Sequence, residues 1–431
     1  MRNDVLSYLY DIFLNSTGVN TDTRTVREGQ IYFALRGERF DGNDYIDLAF
    51  EKGATHVVVD SPWITPSSRI IKVPDTYECL QKLANHHRKQ MSTLVIGLTG
   101  SNGKTTTKEL IHSVLNQAFK VLATEGNLNN HIGLPLTLLK MENSYSHAVI
   151  EMGASSVGEI DFLSRIAEPT IGYITNYGKA HLEGFGSEQG IIQGKSELYD
   201  FLRETGGLAV VNADDAMQMK KSANMKRITF GSSKADFIIR KLDNSEDEFL
   251  HVLFNKKIIK SQLTGAYNFP NIFAAITIGK YLGMSDEDVA LGISQYVPQN
   301  NRSEIRKIKT NTVILDAYNA NPTSVEMALR ALATRKGYKV AILGDMFELG
   351  RFALEEHYRM LSLARELGIN RIITVGELYM DVFSGRSVEQ YITTQECIDG
   401  LSLGKPLRKA TILIKGSRGM RLEQLLDFLD K

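Results

Sequence analysis

The residues Thr99-Gly-Ser-Asn-Gly-Lys-Thr-Thr106 bring Gly100, Gly103, Lys104 and Thr105 into one short loop, which suits a polyphosphate. Glycines let backbone N–H groups of Gly100, Ser101, Asn102 and Gly103 turn inward around phosphate oxygens, and a following helix adds its positive end. Lys104 would neutralise the β/γ phosphates, and the Thr105 hydroxyl, followed by Thr106, would ligate Mg²⁺. The strict pattern G-x-x-x-x-G-K-[ST] fails, because Leu98 occupies the place of its first glycine. A shorter form, T-G-x-x-G-K-T, is met. Gly-Lys-Thr alone also starts ordinary helices, but here a hydrophobic strand run, Leu94–Leu98, precedes the loop and a helical pattern follows it to about Phe119. The expectation is a nucleoside triphosphate site.

Three more residues are placed to work beside it. In open parallel sheets ligands collect beyond the carboxyl ends of strands. Glu151 ends the run His147–Glu151, His181 follows the strand Ile171–Thr175, and Lys195 comes in Gly194-Lys-Ser-Glu-Leu198. Mg²⁺ takes few protein oxygens, completing its shell with water and phosphate, so one carboxylate suffices. Taken singly, Glu151 serves equally as a surface strand end, His181 as a structural histidine and Lys195 as a solvated charge. Their shared position downstream of a phosphate loop is what groups them.

The elements that must position these residues alternate between short apolar runs and helical stretches, an α/β pattern. The runs are Leu94–Leu98, Ala148–Ile150, Ile171–Ile174, Leu208–Val211, Val313–Leu315, Val340–Leu343, Arg371–Val375 and Thr411–Ile414. Asp236–Leu263 reads as a small antiparallel excursion. Joints are expected after the polar helix end Asn85–Gln90 and at Val297-Pro-Gln-Asn-Asn-Arg302. At about 150 residues per domain, 431 residues predict three domains. With 50 basic and 50 acidic residues the formal net charge is zero, which argues against a nucleic-acid-binding surface. No apolar run reaches the ~18 residues of a membrane span, and Asp4 and Asp11 break the N-terminal apolar stretch. Cys79 and Cys397 form no metal or redox spacing, so a reducing, cytoplasmic setting is expected.

Longer motifs add to this reading. Thr99–Thr106, Glu125-Gly-Asn-Leu-Asn-Asn-His-Ile-Gly-Leu-Pro135, Glu151-Met-Gly-Ala154, Ala180-His-Leu-Glu183 and Gly265-Ala-Tyr-Asn-Phe-Pro-Asn271 occur in order. Asp316-Ala-Tyr-Asn-Ala-Asn-Pro-Thr-Ser324, Gly344-Asp-Met-Phe-Glu-Leu-Gly350 and Lys415-Gly-Ser-Arg418 follow them. Together they resemble the Mur ligases, the ATP-dependent ligases of bacterial cell-wall precursor synthesis. The last motifs resemble the branch that adds D-alanyl-D-alanine; the D-N-P-R signature of the diaminopimelate-adding branch is absent. Thr21-Asp-Thr-Arg24, Phe33–Gly37 and Asp41-Gly42 resemble that branch's UDP-binding domain. The resemblance implies a small N-terminal α/β domain (1–90), a central P-loop domain with a mostly parallel sheet (91–299) and a C-terminal Rossmann-like domain (300–431). Tyr177, Gly194 and His131 depart from the commonest family pattern. Rival readings are another Mur-type amide ligase, a folylpolyglutamate synthase, or a non-catalytic nucleotide-gated scaffold.

What the resemblance implies chemically is specific. ATP converts the terminal carboxylate of UDP-N-acetylmuramoyl-tripeptide into an acyl phosphate, which the amine of D-alanyl-D-alanine attacks; the enzyme acts as a monomer. Thr105, Glu151 and His181 would hold Mg²⁺, together with Lys195 once carbamylated by CO₂. Asn268 and Asn271 would meet adenine, although Asn271 reads equally as a helix cap. Arg302 would reach the ATP phosphates and Asp316 the ribose. Thr23, Arg24, Asn127, Asn129, Asn130, Tyr318, Asn319 and Asn321 are expected to face substrate. Lys415 and Ser417 suit a dipeptide carboxylate or phosphate, or simply form a strand-to-helix turn.

Overall fold

The computed structural model describes residues 3–242, 248–298, 301–382, 388–404 and 406–430. All eight apolar runs become strands, distributed over a central and a C-terminal sheet. The N-terminal region carries four parallel strands in chain order, Val19–Asn20, Ile31–Phe33, His56–Val59 and Ile70–Lys72. The helix Thr76–Gln90 follows, started by Asp75, whose carboxylate accepts the Glu78 N–H at 2.9 Å. Cys79, Leu80, Leu83, Ala84 and His87 form its buried stripe, the three-to-four spacing of a helix face. Its polar end is not loose. Arg88 Nε donates to the Ala167 carbonyl at 3.0 Å and Asn85 Nδ2 to those of Arg165 and Ile166, both at 3.0 Å. These are orphan carbonyls closing the helix Glu159–Ala167. The first joint is therefore a packed helix followed by Met91–Thr93, which tightly docks one domain on the next.

The central sheet is seven-stranded and parallel throughout. Its order is Phe237–Ile238, Arg227–Gly231, Leu208–Asn212, Ile171–Ile174, Leu94–Thr99, His147–Glu151, Val121–Ala123. Helices cover both faces, which is why its strands read as continuous apolar runs. Lys104–Leu115 buries Thr107, Leu110, Ile111, Val114 and Leu115 and packs against Phe269–Tyr281, which is buried nearly all round. The antiparallel excursion is present as Arg240–Leu242, His251–Phe254 and Lys257–Lys260.

Of the second joint, residues 299 and 300 lie outside the described residues. After it, a six-stranded sheet runs Glu304–Ile308, Asn311–Asp316, Ala410–Lys415, Tyr338–Gly344, Arg371–Val375, Val388–Tyr391. Only the first pair is antiparallel. Alternate residues enter different cores: Val313 and Leu315 on one side, Ile314 on the other. The carboxyl ends of this sheet and of the central sheet face the same cavity.

Candidate active site

The phosphate loop leaves the central strand at Thr99 and enters the helix at Lys104. Gly100 has φ +138°, and a Cβ there would lie 2.0 Å from Thr175 Oγ1. Gly103 has φ +78°, and its Cβ would lie 2.8 Å from Asn271 Oδ1. Both positions need glycine for backbone angle and for space. The loop is braced by the neighbouring strand's end: Ser101 N donates to the Asn176 carbonyl at 3.1 Å, Asn102 N to Asn176 Oδ1 at 3.2 Å. Thr175 Oγ1 and Asn176 Nδ2 both donate to the Asn102 carbonyl, at 2.6 and 2.9 Å. Lys104 Nζ folds back to the Gly100 carbonyl at 2.7 Å. Packing around this ammonium lowers its pKa; Glu151 opposes the shift, while Arg302 adds to it.

A cavity of about 580 Å³ lies against the loop, a volume fit for a nucleotide with part of a second substrate. Its walls include Ser101 to Thr106, Asn127, Asn129, Asn130, Glu151, His181, Asn268, Asn271, Arg302, Asp316, Tyr318, Asn319, Asn321 and Lys415. Residues predicted from all along the chain thus converge. Five stand elsewhere. Gly100 lies behind the loop, Lys195 behind Ala154, and Ser417 under the next turn, where its Oγ accepts the Phe347 N–H at 3.0 Å. Thr23 and Arg24 belong to the N-terminal region, Arg24 being exposed and paired with Asp22 at 2.7 Å.

Glu151 is 1% exposed. Asn129 Nδ2 donates to its Oε1 at 2.7 Å, while Oε2 is buried with no hydrogen-bond partner. An orphaned buried carboxylate oxygen is costly unless a cation or donor arrives, so this atom fits a metal ion. Among the described residues no group of three His, Cys, Asp or Glu forms a metal cage; a Mg²⁺ completed by phosphate and water does not need one. Lys195 is fully buried, with Nζ donating to the Ala154 carbonyl at 2.9 Å and lying 4.9 Å from the centre of the Phe185 ring. Burial holds its pKa well below the usual lysine range, with Lys104 adding in the same direction. Gly194 has a local reason: a Cβ there would stand 2.5 Å from the Phe185 ring.

Across the cavity, Lys415 Nζ donates to Asp316 Oδ2 at 2.7 Å and to the Asn319 carbonyl at 3.3 Å. The Arg302 guanidinium stacks 3.7 Å from the Tyr318 ring centre, and Arg418 lies 5.1 Å from it. Asn271 is not a cap. It lies inside the helix Phe269–Tyr281, donating to Asn268 Oδ1 at 2.8 Å and accepting from Thr107 Oγ1 at 3.0 Å. Asn321 does cap a helix: its Oδ1 accepts the Ser324 N–H at 3.0 Å while its Nδ2 donates to Asn102 Oδ1 of the phosphate loop at 2.7 Å.

Sequence reasoning passed over Asn176, Glu159, Tyr267, Ser303 and Glu348, which also line the cavity. Asn176 follows the same strand as His181, so the strand-end rule covers it; Glu348 lay inside a quoted motif without a role. The Glu348 carboxylate contacts His181 Nδ1 from the other domain, and that contact lowers its pKa. His131, flagged as a departure, lines the cavity with its ring 5.9 Å from that of Tyr77.

A phosphate loop closed over by a second, Rossmann-like sheet defines a nucleotide-binding α/β protein of three domains. Three family descriptions match it in succession: Mur ligase family, catalytic domain, over residues 15–88; Mur ligase middle domain over 98–279; and Mur ligase, glutamate ligase domain, over 301–418. The chain belongs to the Mur ligase family. It is similar to the UDP-N-acetylmuramoyl-tripeptide–D-alanyl-D-alanine ligase of Bacillus subtilis, 37% identical over 95% of this chain and 92% of the relative. The Escherichia coli ligase of the same name is 33% identical over 98% and 95%. Among solved structures, MurF from Acinetobacter baumannii superposes with a TM-score of 0.87 at 31% identity, covering 96% of this chain and 93% of that one. The MurF ligase of Thermotoga maritima in complex with ADP gives 0.86 at 27% identity, covering 97% and 98%.

Proposed function

We propose that the chain joins D-alanyl-D-alanine to UDP-N-acetylmuramoyl-tripeptide, using ATP and releasing ADP and phosphate, in peptidoglycan precursor synthesis. The observation that carries the reading is the convergence of Lys104, Thr105, Glu151 and His181 with Asp316, Asn319 and Lys415 on one cavity. The full-length likeness to ligases of that name supports it.

A carboxylate holds no leaving group that an amine can displace. Its oxygen therefore attacks the γ-phosphorus of ATP, and ADP departs with the electrons of the broken P–O bond. The dipeptide amine then attacks the acyl carbon; phosphate leaves, and the ammonium proton is lost as the amide forms. The protein positions anions and neutralises them. Lys104, Arg302 and the loop N–H groups hold the phosphates, while Asn268, Asn271 and Asp316 line the nucleoside end. Thr105, Glu151 and His181 would hold Mg²⁺, which when bound lessens the repulsion between carboxylate and phosphate. Lys195, whose pKa burial holds well below the usual lysine range, is suited to add CO₂ and lose a proton, becoming an anionic carbamate that shares in that role. Asn127, Asn129 and Asn130 face the tripeptide; Tyr318, Asn319, Asn321 and Lys415 serve the dipeptide side, where Ser417 acts only by bracing the turn at Phe347. Thr23 and Arg24, which lie in the N-terminal region and do not line the cavity, would serve the UDP end. The proposed working form is a monomer. Two buried, unpaired cysteines suit a cytoplasmic enzyme.

The test is ADP release in the presence of UDP-N-acetylmuramoyl-tripeptide, Mg²⁺ and one amine at a time. D-Alanyl-D-alanine should stimulate it, and L-glutamate and single amino acids should not. Stimulation by L-glutamate instead would point to a folylpolyglutamate-type ligase, and no stimulation by any amine to a scaffold.

A further inference from the structure

We propose that Tyr267 is a positioning residue for nucleotide binding: its hydroxyl, paired with that of Ser303, fixes the joint between the central and C-terminal domains so that Arg302 shares the cavity with Lys104. The inference rests on the ligase reading only in taking ATP phosphates as the anion that Arg302 meets. The two hydroxyl oxygens lie 2.9 Å apart, although 36 residues separate them along the chain. Tyr267 belongs to the single turn Ala266–Asn268 that opens into the helix Phe269–Tyr281. Ser303 comes just before Glu304–Ile308, the first strand of the C-terminal sheet. Both line the cavity, and so does Arg302. Gly265 has φ +78°, and a Cβ there would run into the Tyr267 ring. Glycine at that position is what lets the ring fold back over its own turn.

Arg302 stands between two residues in left-handed backbone, φ 58° at Asn301 and 52° at Ser303. Neither is a glycine, and such conformations persist where the surroundings over-determine them. Here each is held. The Asn301 carbonyl accepts the Tyr318 N–H at 3.2 Å, and the Asn301 N–H donates to Glu304 Oε1 at 2.6 Å. Ser303 N donates to Asp316 Oδ1 at 3.3 Å. Those ties run to the C-terminal domain; the Tyr267 hydroxyl supplies a tie to the central domain, which carries the phosphate loop. The Arg302 guanidinium is laid on the Tyr318 ring, 3.7 Å from its centre, and its charge helps to lower the Lys104 pKa. Two cations gathered on one cavity repel each other until an anion binds between them. Anchoring Arg302 from both sides of the joint sets it in place before the phosphates arrive, so less ordering is left to be done on binding. Phenylalanine at 267 would keep the ring and lose the anchor on the central side.

The experiment titrates the full chain calorimetrically with β,γ-methylene ATP and Mg²⁺. Tyr267→Phe and Ser303→Ala should each weaken binding of the analogue about 3- to 10-fold, the span of one ordinary hydrogen bond. The double variant should bind no more weakly than either single one, because the two hydroxyls act as a pair. In an Arg302→Met background, Tyr267→Phe should change the affinity by less than about two-fold, since the pair acts through the arginine. In turnover, KM for ATP should rise with the loss of affinity while KM for D-alanyl-D-alanine stays within about two-fold of the parent, a split that simple loss of stability would not give. Ser303→Ala carries the comparison with Arg302→Met if Tyr267→Phe does not fold. Parent affinity in Tyr267→Phe, additive losses from the two hydroxyls, or an undiminished loss without Arg302 overturns the proposal. A chain that binds the analogue with this dependence, yet releases no ADP in response to any amine, would refute the assigned reaction and leave the positioning intact.

Discussion

At the scale of single residues, Glu151 and Lys195 show the same conflict from opposite sides of the charge scale. The Glu151 carboxylate is buried with one oxygen partnered by Asn129 and the other bare. An amide in its place keeps the Asn129 contact and is cheaper to bury. Glu151→Gln should therefore unfold at the same temperature as the parent or higher, while ADP release falls about 100-fold or more, the scale of a lost metal contact. Equal loss of stability and activity would count against a binding role. Lys195 is the converse. Its folded pKa is depressed by burial, so between that value and the ordinary lysine value the unfolded chain binds the extra proton, and stability rises with pH. Lys195→Met should be the more stable protein at pH 7 in CO₂-free urea titrations, with the gap closing toward about pH 10. Lys195→Ala should lose activity and regain part of it with added short carboxylic acids, which replace the carbamate; an Ala variant as active as the parent would dismiss the residue. The shared placement of Lys104, Thr105 and Glu151 on one cavity was legible because each lies at the end of a local strand or the start of a helix. Glu348 was not, because its partner lies in another domain and no local spacing joins them. Asn271 misled as a cap because a helix start written in sequence does not reveal whether an amide turns outward to the backbone or, as here, inward to Asn268 and Thr107.

Among the elements, the helix Pro322–Ala333 has two duties at one residue. Asn321 closes its first turn in a capping box with Ser324 and also donates to Asn102 in the phosphate loop. The two can be separated by mutation. Serine caps about as well as asparagine but is too short to carry the second bond. Asn321→Ser should keep stability within about 0.5 kcal/mol and lower kcat/KM, whereas Asn321→Ala should additionally lose about 1 kcal/mol in denaturant unfolding. If Asn321→Ser matches the parent in turnover, the contact with Asn102 has no part in forming the site. Elements of this kind were readable where the pattern is strong. Parallel strands buried on both faces appear as uninterrupted apolar runs, so eight of the twelve parallel-paired strands described in the central and C-terminal sheets were found. The strands Val121–Ala123, Arg227–Gly231, Phe237–Ile238 and Val388–Tyr391, toward the sheet edges, and the tie between the helix Thr76–Gln90 and the central domain were not, since they depend on what packs against them.

For the whole molecule, a formal net charge of zero conceals an interface assembled from local charge. The central and C-terminal domains meet through polar links. Lys179 N donates to Thr323 Oγ1 at 2.8 Å, and Lys179 Nζ bridges Glu356 of the C-terminal domain at 3.0 Å and Glu188 of its own domain at 2.9 Å. The hydrogen bond to Glu188 is the main cause of the raised Lys179 pKa. Interfaces of this polar kind open and close more readily than apolar ones, and closure around the cavity is what keeps water from an acyl phosphate. Glu356 is buried and also held by Arg359 at 2.7 Å, so removing the lysine leaves it partnered and the fold intact. A partly exposed bridge contributes about 1 kcal/mol, a shift of roughly five-fold in the balance of open and closed forms. Lys179→Met should therefore increase the radius of gyration measured by solution scattering without ligand, with ATP and the tripeptide restoring the compact form. Added salt should move the parent in the same direction, because exposed charges are screened beyond about 8 Å at physiological ionic strength. Identical scattering for parent and Lys179→Met, at low and high salt alike, would mean that the closed arrangement is held by the packed cores and not by these charges.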